Sequence, residues 1–178
     1  MKRKIIELAA VLICFLLQCT FFQAISVGNI VPNLLVIVTS AFGFMGGRKE
    51  GMFVGFLSGI LMDIFYSDII GVNALIFLYI GYTNGMFDRI FYPEDVKFPI
   101  VLITVSDVVC LMLQYILQFM LRARLDLPYY FVKIMLPEII YTAVITIILY
   151  KPILALNNLI NDKDSHENAK NPHTRRSN

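Results

Sequence analysis

At 178 residues the chain has the length of one domain, and its 58% hydrophobic and 16% charged content excludes an ordinary soluble protein. The formal net charge of +2 makes no case for a nucleic-acid partner, because the basic residues lie in the tails and short connections. The apolar residues come in long blocks without the alternation of a membrane β-barrel, and several approach the roughly 20 residues a helix needs to cross a hydrocarbon core. These features predict an all-α, multi-pass integral membrane protein with membrane lipid as its first partner.

Met1-Lys2-Arg3-Lys4 leads into the first predicted helix, residues 5–27. The run is too long for a signal-peptide core and no small-x-small cleavage pattern follows, so it is read as retained. The second helix, residues 31–45, opens at Pro32, whose missing N–H costs nothing in a first turn. Gly46-Gly47-Arg48-Lys49 makes a tight basic turn, and Glu50 begins the third helix, residues 50–66, where a carboxylate suits the helix dipole. The fourth helix covers residues 70–87. Both are short for a span, which implies thinning, little tilt or burial among longer neighbours. The fifth covers 98–121 and the sixth 131–151, with a kink expected at Pro137 that frees a backbone carbonyl. Residues 1–155 thus form a single six-helix domain, followed by a polar tail, 156–178, expected to be disordered. Six helices place both termini on one side. With that side cytoplasmic, 12 of the 15 basic residues lie inside and only Arg122, Arg124 and Lys133 lie outside.

Several residues inside the runs are candidates for function. Gly51, Gly55, Gly59 and Asp63 recur every fourth residue, and Gly81 and Gly85 repeat the spacing on the fourth helix. Small residues at this spacing let membrane helices approach closely, either within the chain or against a partner's helix. Asn33, Asp63 and Asn73 fall at similar depth near the outer face. They make either a structural hydrogen-bond cluster or a contact site for a partner or ligand. Asp107 and Glu138 lie deeper, as a candidate pair of buried carboxylates whose role the sequence leaves open. The turn Arg48-Lys49-Glu50 either faces anionic lipid or a cytoplasmic partner, or only sets the topology.

Catalysis finds little support. His166 and His173 both fall in the tail, so Ser58 within Gly55-Phe56-Leu57-Ser58-Gly59 has no base to activate it. Cys14, Cys19 and Cys110 read as packing thiols, and no cofactor or metal ligand set is present in the sequence.

Pro32-Asn33 opening an apolar helix, Gly47-Arg48-Lys49-Glu50-Gly51, the run Gly55, Gly59, Asp63, and Gly71-Val72-Asn73-Ala74-Leu75 leading to Gly81-Tyr82 together resemble the rod shape-determining protein MreD family. The likeness is densest over residues 32–85. Where many relatives carry an asparagine after the proline of the last helix, this chain has Tyr141-Thr142. The resemblance implies a non-enzymatic subunit of the bacterial plasma membrane that acts with the bitopic protein MreC. It further implies indirect partners: an MreB-like actin filament, a RodA-like glycosyltransferase and a class B penicillin-binding transpeptidase, together directing lateral wall synthesis. The fold it implies is similar to the substrate-binding subunits of energy-coupling-factor vitamin transporters. Such a vitamin-uptake subunit is the rival reading, weakened here because the first helix lacks an Ala-x-x-x-Ala docking patch.

Overall fold

The computed structural model describes residues 2–26, 30–67, 69–90, 97–122 and 131–170, and the regular elements among them are helices. α1 (Lys2–Leu17) continues into a π-helical turn, Gln18–Phe22. α2 is Leu34–Gly46, α3 is Arg48–Tyr66, and α4 is Val72–Asn84, extended by a 3-10 turn, Gly85–Ile90. α5 is Lys97–Arg122, and α6 (Leu136–Lys170) is entered through a second π-helical turn, Phe131–Met135.

Three stretches among the described residues are long and apolar enough to cross a membrane: Arg3–Phe22, Lys97–Leu117 and Val132–Leu159. Their outward faces agree with that. Val101, Val105, Val109, Met112 and Ile116 form one exposed apolar stripe on α5, and Val132, Leu136, Ile140, Val144 and Ile148 form another along the last helix. Apolar stripes at helical spacing on the outside of a bundle are the reverse of a water-soluble fold, and they mark the protein as membrane-embedded.

α2 lies at the centre. Every residue from Leu34 to Phe44 is buried, and the helix packs against α1, α3, α4, α5 and α6. The neighbours close around it in the order α1, α3, α4, α5, α6 and back to α1. The sequence explains why this helix is the hub: Leu-Leu-Val-Ile-Val is apolar on all sides, and only Thr39 and Ser40 interrupt it. A helix apolar all round buries all round.

Three boundaries differ from the sequence reading. α2 starts at Leu34 rather than at Pro32, because Asn33 takes the capping position and its Oδ1 accepts a hydrogen bond from the Val36 N–H at 3.3 Å. Pro137, where a kink was expected, is the second residue of α6 and directly follows the π-helical turn. The last helix also runs on through Lys170, with Pro152 inside it, where a polar tail was expected from residue 156. Between Pro152 and Lys170 no glycine or proline interrupts the chain, and extending a formed helix costs far less than starting one.

Candidate functional site

The every-fourth-residue stripe of α3 is the face that meets α4. A Cβ added to Gly51 would fall on the Gly81 carbonyl oxygen, one on Gly55 on the Phe77 carbonyl oxygen, and one on Gly59 on the Ala74 Cα. As the α3 position rises by four, its partner on α4 falls by three or four, so the helices run antiparallel with backbones in direct contact. Gly43 of α2 joins at the Gly81 level, since its Cβ would lie 2.8 Å from the same carbonyl oxygen. Gly85 closes the far end, where a Cβ would press on the backbone of Arg48. The predicted packing glycines therefore all serve contacts within the chain.

Asp63 is the next member of the stripe, one turn past Gly59, and it takes over where α4 begins. The N-cap of α4 is Gly71, at φ +106°, which has no side chain to satisfy the first N–H groups. Asp63 supplies the missing acceptors from α3. Its Oδ2 accepts from the backbone N–H of Gly71 at 2.8 Å and of Ala74 at 3.0 Å. Its Oδ1 accepts from the backbone N–H and from the Nδ2 of Asn73, both at 3.0 Å. The carboxylate is fully buried. Four donors and the positive end of a helix dipole surround it, a setting that stabilises a negative charge.

Asn73 extends this network to α5, because its Oδ1 accepts from Gln114 Nε2 at 2.9 Å. Asn33 bonds elsewhere: besides capping α2, its backbone N–H donates to Thr142 Oγ1 on α6 at 3.1 Å. The three polar residues grouped by the sequence thus divide into an Asp63–Asn73–Gln114 chain and an Asn33–Thr142 contact.

Asp107 is fully buried on α5, and neither of its oxygens has a well-formed hydrogen bond. α5 packs against α6, the helix that carries Glu138 and Thr142. An apolar groove of about 470 Å³ runs along the outer face of α6, lined by Ile30, Leu136, Pro137, Ile140, Tyr141 and Val144.

At the opposite end from Asp63, the turn Arg48-Lys49-Glu50 meets the start of α1. Lys4 Nζ lies 2.6 Å from Glu50 Oε2 and 3.5 Å from Glu7 Oε2, while Arg3 Nε donates to Glu7 Oε1 at 3.0 Å. Burial alone would raise the Glu50 carboxyl, but the Lys4 hydrogen bond and the nearby Arg3 hold it below its ordinary value. Lys4 also sits 4.0 Å above the Phe53 ring, and Arg48 lies 5.7 Å from the Tyr82 ring. Arg48 and Lys49 themselves are exposed.

Glu7, Gln114 and Asn84 were not among the functional candidates read from the sequence, and Thr142 was noted only as a departure from the family pattern. Asn84 donates to Ser106 Oγ at 2.8 Å and Ser40 Oγ at 3.3 Å, joining α4 to α5 and α2. The available signal was the same for all four, a polar residue within an apolar run; which residue it pairs with depends on packing between distant segments.

Comparison with known proteins follows this geometry. A family model described as the rod shape-determining protein MreD matches residues 2–160. Neither the curated proteins nor the solved structures contain a match to the chain.

Proposed function

The chain belongs to the rod shape-determining MreD family, whose model spans residues 2–160, and from that membership we propose that it is a non-enzymatic six-span scaffold of the bacterial elongation machinery. Its role is in rod shape determination. In this reading both termini are cytoplasmic, and the bundle is similar to the substrate-binding subunits of energy-coupling-factor transporters. The family match favours the scaffold over the vitamin-uptake rival. The protein supports lateral peptidoglycan synthesis by binding an MreC-like bitopic protein, and through it an MreB-like filament, a RodA-like glycosyltransferase and a class B penicillin-binding transpeptidase.

The partner contact is assigned to the outer ends of α2, α3 and α4. Asp63 and Asn73 act there by holding the end in shape, since their polar atoms point inward and are engaged. The surface they hold up is apolar: Phe65, Tyr66, Ile69 and Ile70 are exposed, Ile70 at 74%. The exposed Arg48 and Lys49 fit either anionic lipid or a cytoplasmic partner at the other end.

Ile70→Asp tests the assignment because it alters the surface and leaves the Asp63 cap in place. The expected outcome is loss of co-purification with the MreC-like protein and rounded cells, with membrane insertion and thermal stability unchanged. Intact co-purification and normal cell shape would overturn the assignment.

A further inference from the structure

We propose that the α3–α4 flank holds the bilayer locally thin, with the leaflet at the Asp63 end stepping down to meet it. The helices share a level at the end bearing Arg48: Lys4 of α1 meets Glu50 of α3, and Phe98 of α5 packs on Phe44 and Phe87. At the Asp63 end they do not. Tyr66, the last residue of α3, bonds to Cys19 of α1. The Asp63–Asn73–Gln114 chain sets the same level at Gln114 on α5, and α2 begins beside Thr142 of α6. Beyond these marks α5 continues to Arg122, and the last span extends back to Val132. At the helical rise, that leaves α5 and α6 standing about 12–15 Å taller than the α3–α4 tip.

The stretch from Glu50 to Ser67 rises about 25 Å, against roughly 30 Å for a hydrocarbon core. Longer neighbours do not enclose it, since Phe56, Ile64, Phe65, Leu75 and Tyr79 are all exposed. Nor can the pair slide outward to make up the difference. Its glycines lock α3 to α4 and to Gly43 of α2, backbone against backbone. The tip is built for hydrocarbon to its end: Ile69 and Ile70 are exposed, while the polar backbone is satisfied from within. Asp63 accepts the N–H groups of Gly71, Asn73 and Ala74, and Ser67 donates its hydroxyl to the Ile69 carbonyl. Backbone polar groups left unsatisfied are not tolerated in hydrocarbon. A rigid apolar face shorter than the core is met by thinning of the bilayer around it. The flank is therefore a contact surface for short or compressed lipid chains, whereas α5 and α6 match a core of full thickness.

The inference rests on α3 and α4 lying in the membrane and not on any partner, so it is tested with the purified full-length protein alone. The chain has no tryptophan, so one introduced residue reports only its own surroundings. Ile64 on α3 and Ile116 on α5 are both exposed and stand at nearly the same height, next to the Asp63–Asn73–Gln114 chain. Ile64→Trp and Ile116→Trp are reconstituted separately in nanodiscs of phosphatidylcholine with tetradecenoyl, octadecenoyl or docosenoyl chains. Lengthening the chains is expected to shift the emission at position 116 to the blue as it sinks into hydrocarbon, and to leave position 64 unmoved. In mixed bilayers, brominated short-chain lipid is expected to quench position 64 about twofold more than brominated long-chain lipid, and to show no such advantage at position 116. Equal blue shifts at both positions overturn the proposal, because the bilayer is then flat. So does a position 64 that lipid bromine never reaches, with iodide separating burial under a second copy from exposure to water. Leu75→Trp and Met112→Trp, a second exposed pair at matched height, give the same comparison should a first variant fail to fold.

Discussion

At the scale of single residues, Asp63 shows how a polar group in an apolar run can be structural. Its four hydrogen bonds link the end of α3 to the start of α4, and none of its acceptor capacity faces outward. Asp63→Leu is expected to leave the first N–H groups of α4 unsatisfied in a buried site and to cost about 3 kcal/mol or more. Asp63→Asn keeps one acceptor oxygen and is expected to fall between the two. Thermal unfolding of the purified protein in detergent checks the order, and an unchanged melting temperature in Asp63→Leu would refute the capping role. The sequence made Asp63 conspicuous, through its place on the stripe and the cost of a charge there. It could not distinguish a cap from a contact site, because that depends on where Gly71, Asn73 and Ala74 aim their N–H groups. Asn33 illustrates the same limit: its partner Thr142 is 109 residues away.

At the scale of elements, α3 and α4 form one unit. Their contact is backbone against backbone, which a lipid environment rewards because packing, rather than expulsion of water, holds the helices together. Gly55→Leu is expected to force them apart, costing about 3 kcal/mol or more, beyond ordinary overpacking because the obstacle is a carbonyl rather than a movable side chain. Gly71→Ala is a contrasting case: open space surrounds the added methyl, so only the φ of +106° resists it and about 1 kcal/mol is expected. Protease resistance of the two variants in membranes should separate them; equal resistance would refute the close-packed seam. The four-residue spacing made this seam legible in advance, since helical geometry fixes which residues share a face. The end of α6 was not legible, because residues 156–170 are polar enough for either a coil or a helix, and the continuation rests on the preceding turns.

At the scale of the whole molecule, the helices have a layout that the sequence could not supply, with α2 ringed by the other five. Apolar blocks report that a segment is buried or in lipid, but an all-round apolar helix looks the same in both settings. The proposed topology predicts that single cysteines at Lys49 and Ser67, placed in a background without native cysteines, label from opposite sides of the membrane. Labelling of both from one side would refute the six-span arrangement. The central place of α2 also bears on the order of assembly. A helix made early in synthesis but enclosed by segments made later must wait for them, with Thr39 and Ser40 exposed in the meantime to lipid or to a chaperone. The last hydrogen bond of its cap is donated by the Asn33 N–H to Thr142 Oγ1 of α6. Completion of the final helix is therefore the event that seals the second.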